Sequence, residues 1–189
     1  MSIAVDKARA SAAAWFSRRI GRNLQFSRIF LVELAFTAAY LGATALLVFF
    51  DAPSSSELLA PIALSVAYAA LFFYKIALVH YLEWRGGDAR EFRASDQLVT
   101  TGAYALSRNP VYVLSLAQSL VWSVGLVLLG ATAPRGFCAA ALAAPTLLYG
   151  HFLALDRLIV PHEEAALRSR HPEAFAAYCA RVSRWFGRY

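Results

Sequence analysis

Residues 29–50 read IFLVELAFTAAYLGATALLVFF, an unbroken apolar run with a single charged side chain, Glu33. A helix of that length reaches roughly 33 Å at about 1.5 Å per residue, enough to cross a hydrocarbon core of about 30 Å. A helix that is apolar on every side belongs inside a large core or inside a bilayer. The rest of the chain decides between the two, because three more such blocks follow at residues 58–82, 111–129 and 137–155. In a membrane, 189 residues suit about four spanning helices with short connections. The connections are short: Asp51-Ala52-Pro53-Ser54-Ser55-Ser56 is turn chemistry, and Pro134 with Gly136 closes a second hairpin.

Composition agrees. The chain is 59% hydrophobic and only 16% charged, with a mean hydropathy of +0.50, whereas soluble domains carry roughly a quarter charged residues. Disorder, collagen and coiled coil are excluded, because the apolar residues fall in blocks and not in triplets or heptads. The expected fold is an all-α integral membrane helical bundle of about four transmembrane helices, with amphipathic interfacial helices at both ends. It forms a single membrane domain over residues 1–189. Residues 1–96 hold the N-terminal interfacial helix and the first hairpin, and residues 97–189 hold the second hairpin and the C-terminal helices.

The net charge of +6 is explained by topology and requires no nucleic acid. Of 18 cations, Arg135 and Lys75 are set aside and the other 16 fall before the first block, between the second and third, or after the fourth. The positive-inside rule then predicts both termini on the cytoplasmic side. Residues 12–30 carry Trp15, Phe16, Ile20, Leu24 and Phe26 among arginines, the pattern of a basic interfacial helix and not of a signal peptide. Cys138 and Cys179 are expected on opposite sides of the membrane, which argues against a thiol redox enzyme. Four scattered histidines without ligand spacing argue against a metal site.

Two charged residues inside the spans, Glu33 and Lys75, are costly in a bilayer and read either as a functional site or as a pair between adjacent spans. His80 and His151, near the cytoplasmic ends of their spans, read as interfacial groups, with a proton acceptor as the alternative. Ala38 and Gly42, four apart, permit close helix approach and a homodimer. After the fourth block, Pro161 can start a new helix, with Glu163 and Glu164 in its first turn. From His171-Pro172 onward, Phe175, Tyr178, Cys179, Val182, Trp185 and Phe186 recur at helical spacing. That pattern predicts an amphipathic helix at the membrane face or folded back over the bundle.

Two polar clusters flank the second hairpin. One is Gly102-Ala103-Tyr104-Ala105-Leu106-Ser107-Arg108-Asn109-Pro110-Val111-Tyr112; the other is His162-Glu163-Glu164-Ala165-Ala166-Leu167, followed by Pro172, Phe175, Tyr178, Arg181 and Arg184. One span out and one back returns the chain to the same side, so the clusters are expected to meet. Their bland readings are surface arginines that set topology and helix-start acids, with Glu164 pairing to Arg168 at i+4.

In these clusters the chain resembles the integral-membrane methyltransferases that include isoprenylcysteine carboxyl methyltransferase and the phospholipid N-methyltransferases. The matching positions are Gly102, Tyr104, Arg108, Pro110, Tyr112, Glu163, Glu164, Leu167, Phe175, Tyr178, Arg181, Val182, Arg184 and Trp185, over about residues 97–186. The resemblance implies S-adenosylmethionine as cofactor, a lipophilic or small apolar methyl acceptor, and membrane lipids as surroundings. It assigns cofactor binding to Gly102, Tyr104, Arg108, Asn109, Tyr112, Glu163, Glu164, Tyr178, Arg181 and Arg184, and catalysis to Arg108, Asn109 and Glu163. A guanidinium fork suits the methionine carboxylate, carboxylates suit the amino group or ribose hydroxyls, and tyrosine faces suit adenine or a sulfonium. The chain departs from the pattern at Asn109, where the isoprenylcysteine enzymes have His. It departs also at Leu114 in place of Gly, and at Ala103 and Ser183 in place of Pro. Asn109 can hydrogen-bond a ligand but cannot serve as a base. Two rival readings remain: an NADPH-dependent membrane reductase related to the sterol reductases, and a non-enzymatic membrane binding or scaffold protein.

Overall fold

The computed structural model describes residues 28–50, 59–86, 97–132 and 137–187. The expected N-terminal interfacial helix and the turns at residues 51–56 and 134–136 lie outside the described residues. The regular elements within them are all helices. The long helices are α1 (Arg28–Phe50), α2 (Leu59–Trp84), α3 (Pro110–Ala131) and α4 (Phe137–Ala154). A single 3₁₀ turn, Gly102–Ala105, precedes α3; a π-helical turn, Leu155–Ile159, joins α4 to α5 (Val160–Arg170), and α6 (Pro172–Cys179) follows. Four of these helices are long and apolar enough to cross a membrane, so the chain is a membrane protein built as a helical bundle.

The spans pack around α3 and α4, which form the tightest pair; α1 lies on both, α2 lies on α3, and α1 and α2 scarcely touch each other. The core between α1, α3 and α4 is built from Tyr40, Leu47, Leu126, Leu129, Ala140 and Ala144. Ala140 and Ala144 are one turn apart on α4, and their small side chains let α3 and α1 come close. Ala38 and Gly42 face outward from this core, and no atom comes within 4 Å of a Cβ built on Gly42. Leu31, Leu34, Ile62, Val66, Phe73 and Leu142 are at least half exposed, as side chains that meet lipid must be.

The fourth span is longer than its apolar block. Helical structure runs from Cys138 to Arg170 without a break, roughly 50 Å at about 1.5 Å per residue, so its last turns must leave a hydrocarbon core of about 30 Å. Pro161 stands where expected, in the first turn of a helix, but that helix continues directly from the fourth span through the π turn. At the first positions of α5 its missing N–H removes nothing from the helix ladder. The π turn buries Leu155 and Ile159 against Tyr112, with Val160 beside them.

The tail differs from the expected long amphipathic helix. Helix α6 ends at Cys179, and Phe175, Tyr178 and Val182 pack against Leu98 and Leu167. Of the two placements the sequence leaves open, the tail takes the one folded back over the bundle. Residues 183–187 leave the helix because their backbone bonds elsewhere: Ser183 N–H donates to Gly187 O at 3.0 Å and Gly187 N–H to Leu106 O at 2.8 Å.

Candidate functional site

At one end of the bundle α3 begins, the π turn hands over to α5, and the tail lies across both. Asn109 is the residue before α3, and Pro110 fills the first helical position. The loop is pinned to the tail by its backbone, with Arg108 N–H donating to Ser183 O at 3.0 Å. Ser107 Oγ donates to Arg184 O at 3.3 Å and accepts from Asn109 N–H at 3.0 Å, and Asn109 Nδ2 donates to the same Arg184 carbonyl at 3.1 Å.

The side chains of the two clusters meet. Glu164, 5% exposed, accepts from Arg184 Nη2 at 2.8 Å and Nε at 3.3 Å, and its Oε1 lies 3.5 Å from Arg108 Nη2. Arg184 also reaches Asp156 at 3.4 Å, and Trp185 Nε1 donates to the same carboxylate at 3.1 Å. The hydrogen bonds it donates to Glu164, with Asp156 behind them, hold the Arg184 guanidinium more firmly protonated than usual. Tyr112 OH donates to Glu163 Oε1 at 2.7 Å. Tyr178 OH donates to Tyr104 O at 2.6 Å and to Ser107 O at 3.3 Å. Arg108 Nη1 donates to Cys179 Sγ.

Burial raises both phenol pKa values. The Tyr104 phenol lies above its ordinary value through desolvation, reinforced by the Glu163 carboxylate. The Tyr178 phenol is raised by desolvation against the pull of Arg108. Both rings therefore act as neutral hydrogen-bonding and stacking groups at neutral pH.

Eight of the ten residues expected to bind cofactor stand together here: Tyr104, Arg108, Asn109, Tyr112, Glu163, Glu164, Tyr178 and Arg184. Gly102 and Arg181 do not join them. Gly102 has φ +63° and sits under Tyr81, whose Oη is 3.0 Å from where a Cβ would be. It serves the turn that docks the loop on α2. Arg181 is exposed and bonds back to Ala177 O at 3.2 Å. Glu164 does not pair with Arg168 as an i+4 helix pair; the two arginines of the other segments take it instead.

The site also holds Asp156, which the sequence does not single out, and Ser107, Cys179 and Ser183, to which it gives no binding role. Asp156 sits one position past the apolar block, and only the π turn aims it at the tail. Two buried polar atoms in the site, Arg108 Nε and Ser183 Oγ, have no hydrogen-bond partner among the described residues. They belong to neighbouring strands of backbone, joined by the Arg108–Ser183 bond. Among the described residues no group of His, Cys, Asp and Glu has the makings of a metal site. No family model, curated protein or solved structure matches the chain, so a function has to be argued from these residues.

Proposed function

We propose that the protein is a membrane methyltransferase that takes S-adenosylmethionine at this polar end, on the cytoplasmic side, and methylates a lipophilic or small apolar acceptor. The observation that carries the reading is the convergence of Arg108 with Glu163, Glu164 and Arg184, all more than fifty residues further along the chain, with Arg108 Nε and Ser183 Oγ buried beside them and unpartnered. Buried polar groups are satisfied in the great majority of cases, so two orphans in one charged cluster favour a ligand.

The donor set fits a zwitterionic nucleotide. Arg108 and Ser183 offer donors for a carboxylate, Glu163 offers an acceptor for an ammonium or a ribose hydroxyl, and Tyr104 and Tyr112 add aromatic faces and a phenol beside it. When bound, the cofactor supplies an electrophilic methyl group on a sulfonium. The chain's work is then alignment and exclusion of water. Glu164 fixes both guanidiniums, Tyr178 fixes the loop that carries Arg108, and the Phe152–Trp185 ring contact at 5.3 Å closes the membrane side of the tail. The acceptor arrives from the bilayer and the cofactor from water.

The test is transfer itself. Membranes carrying the protein, incubated with methyl-labelled cofactor and extracted into organic solvent, are expected to yield a labelled lipid-soluble product by mass spectrometry. Glu163→Gln should lower its formation at least about tenfold, equivalent to about 1.4 kcal/mol. Equal product from membranes without the protein would refute the reading.

A further inference from the structure

A second polar cluster lies inside the spans, about one helical turn in from the polar end, since Ser115 follows Tyr112 by three residues on α3. Lys75 Nζ on α2 is 3.4 Å from Glu33 Oε2 on α1 and donates to Ser115 Oγ on α3 at 3.2 Å. His151 on α4 bonds Ser119 Oγ through Nδ1 at 2.5 Å, and its Nε2 stands 3.7 Å from Glu33 Oε1. All four spans thus send a polar side chain to one place, among helices that are otherwise apolar.

The cluster is incomplete. His151 is 1% exposed and Gln118 3% exposed, yet His151 Nε2, Glu33 Oε1 and both amide atoms of Gln118 have no hydrogen-bond partner among the described residues. Gln118 stands one turn along α3 from Ser115, and one further turn brings Trp122, whose Nε1 is also unpartnered. In a bilayer no water stands ready to satisfy such atoms. The Glu33–Lys75 ion pair explains those two residues; it leaves both amide atoms of Gln118 unpartnered, and it leaves His151 Nε2 and Glu33 Oε1 facing each other at 3.7 Å, beyond hydrogen-bond distance.

We propose that this cluster is a binding site for a membrane-dissolved ligand that carries an uncharged phenolic hydroxyl. The charge argument selects the neutral group: Glu33 and Lys75 already balance, and one more full charge in a low-dielectric interior would have no counterion. A hydroxyl is donor and acceptor at once, which answers both an unpartnered carboxylate oxygen and an unpartnered amide. Aromatic walls select a phenol. Phe36 stacks on His151 at 4.5 Å, and Trp122 is flanked by Tyr40 at 5.9 Å and Tyr68 at 5.5 Å. The slack between α1 and α2, which are joined at this level by the Lys75–Glu33 pair and scarcely touch elsewhere, offers sideways entry from lipid. The site stands on these contacts and does not depend on methyl transfer at the polar end.

The experiment is equilibrium binding of 4-octylphenol to the full chain in lipid nanodiscs, with decanoate and decylammonium as charged counterparts. Saturable octylphenol binding is expected, with each charged amphiphile at least about tenfold weaker. Gln118→Leu should weaken octylphenol at least about tenfold while leaving the Tm of the ligand-free protein unchanged or higher, because it removes two unpaired buried groups. His151→Phe should weaken it as well. No saturable binding of octylphenol, equal binding of a charged counterpart, or unchanged affinity in both variants would overturn the proposal.

Discussion

At the level of single residues, Glu164 and Tyr178 decide whether the polar end keeps its shape. Glu164→Gln removes the charge shared by two guanidiniums. Arg184 is about a third exposed, so solvent absorbs part of the loss, and a cost of about 2–3 kcal/mol is expected. It should appear as a lower Tm together with faster proteolysis in residues 180–187; an unchanged Tm would mean the clamp contributes nothing. Tyr178→Phe leaves the carbonyls of Tyr104 and Ser107 short of a donor and should cost about 1–2 kcal/mol by denaturant unfolding. The same phenols give a pH signature. Their folded pKa values are raised by burial, so their contribution is complete below the unfolded value near 10 and is lost as pH climbs past it toward the folded values. Stability should therefore fall on the alkaline side of about pH 10, and Tyr178→Phe should reduce that fall.

At the level of elements, the loop ahead of α3 depends on one backbone conformation. Gly102→Ala puts a Cβ at φ +63° and 3.0 Å from Tyr81 Oη, strain worth about 1–3 kcal/mol. Its Tm should fall accordingly, and an unchanged Tm would show that the turn is free to relax. The four spans were legible because apolar blocks of bilayer length admit few alternatives, and the meeting of the two polar clusters followed from a hairpin that goes out and returns. The Glu33–Lys75 pair was legible for the same reason: two opposite charges on adjacent spans have nowhere else to go. The burial of His151 was not. It reads as interfacial from its place near the end of the apolar block, and a lone histidine there gives no sign that it faces Glu33 and Ser119 on neighbouring spans. A π turn has no periodicity of its own, and Pro161 looks like a beginning, so Asp156 was hidden as well. The tail misled in the opposite way: its helical spacing continues to Phe186, but backbone bonds from residues 183–187 to the loop outweigh that local pattern.

At the level of the whole molecule, the bundle separates two polar regions by depth. One gathers arginines, carboxylates and tyrosines where helices emerge; the other is a small hydrogen-bonding cluster among the spans. The central claim concerns the first. Isothermal titration of detergent-purified protein with S-adenosylhomocysteine, and in parallel with NADPH, tests it most directly. Saturable binding of S-adenosylhomocysteine, weakened at least about tenfold by Arg108→Ala and by Glu163→Gln, with no binding of NADPH, is the expected result. Binding of NADPH instead, binding of neither, or an affinity for S-adenosylhomocysteine that both variants leave untouched would contradict it.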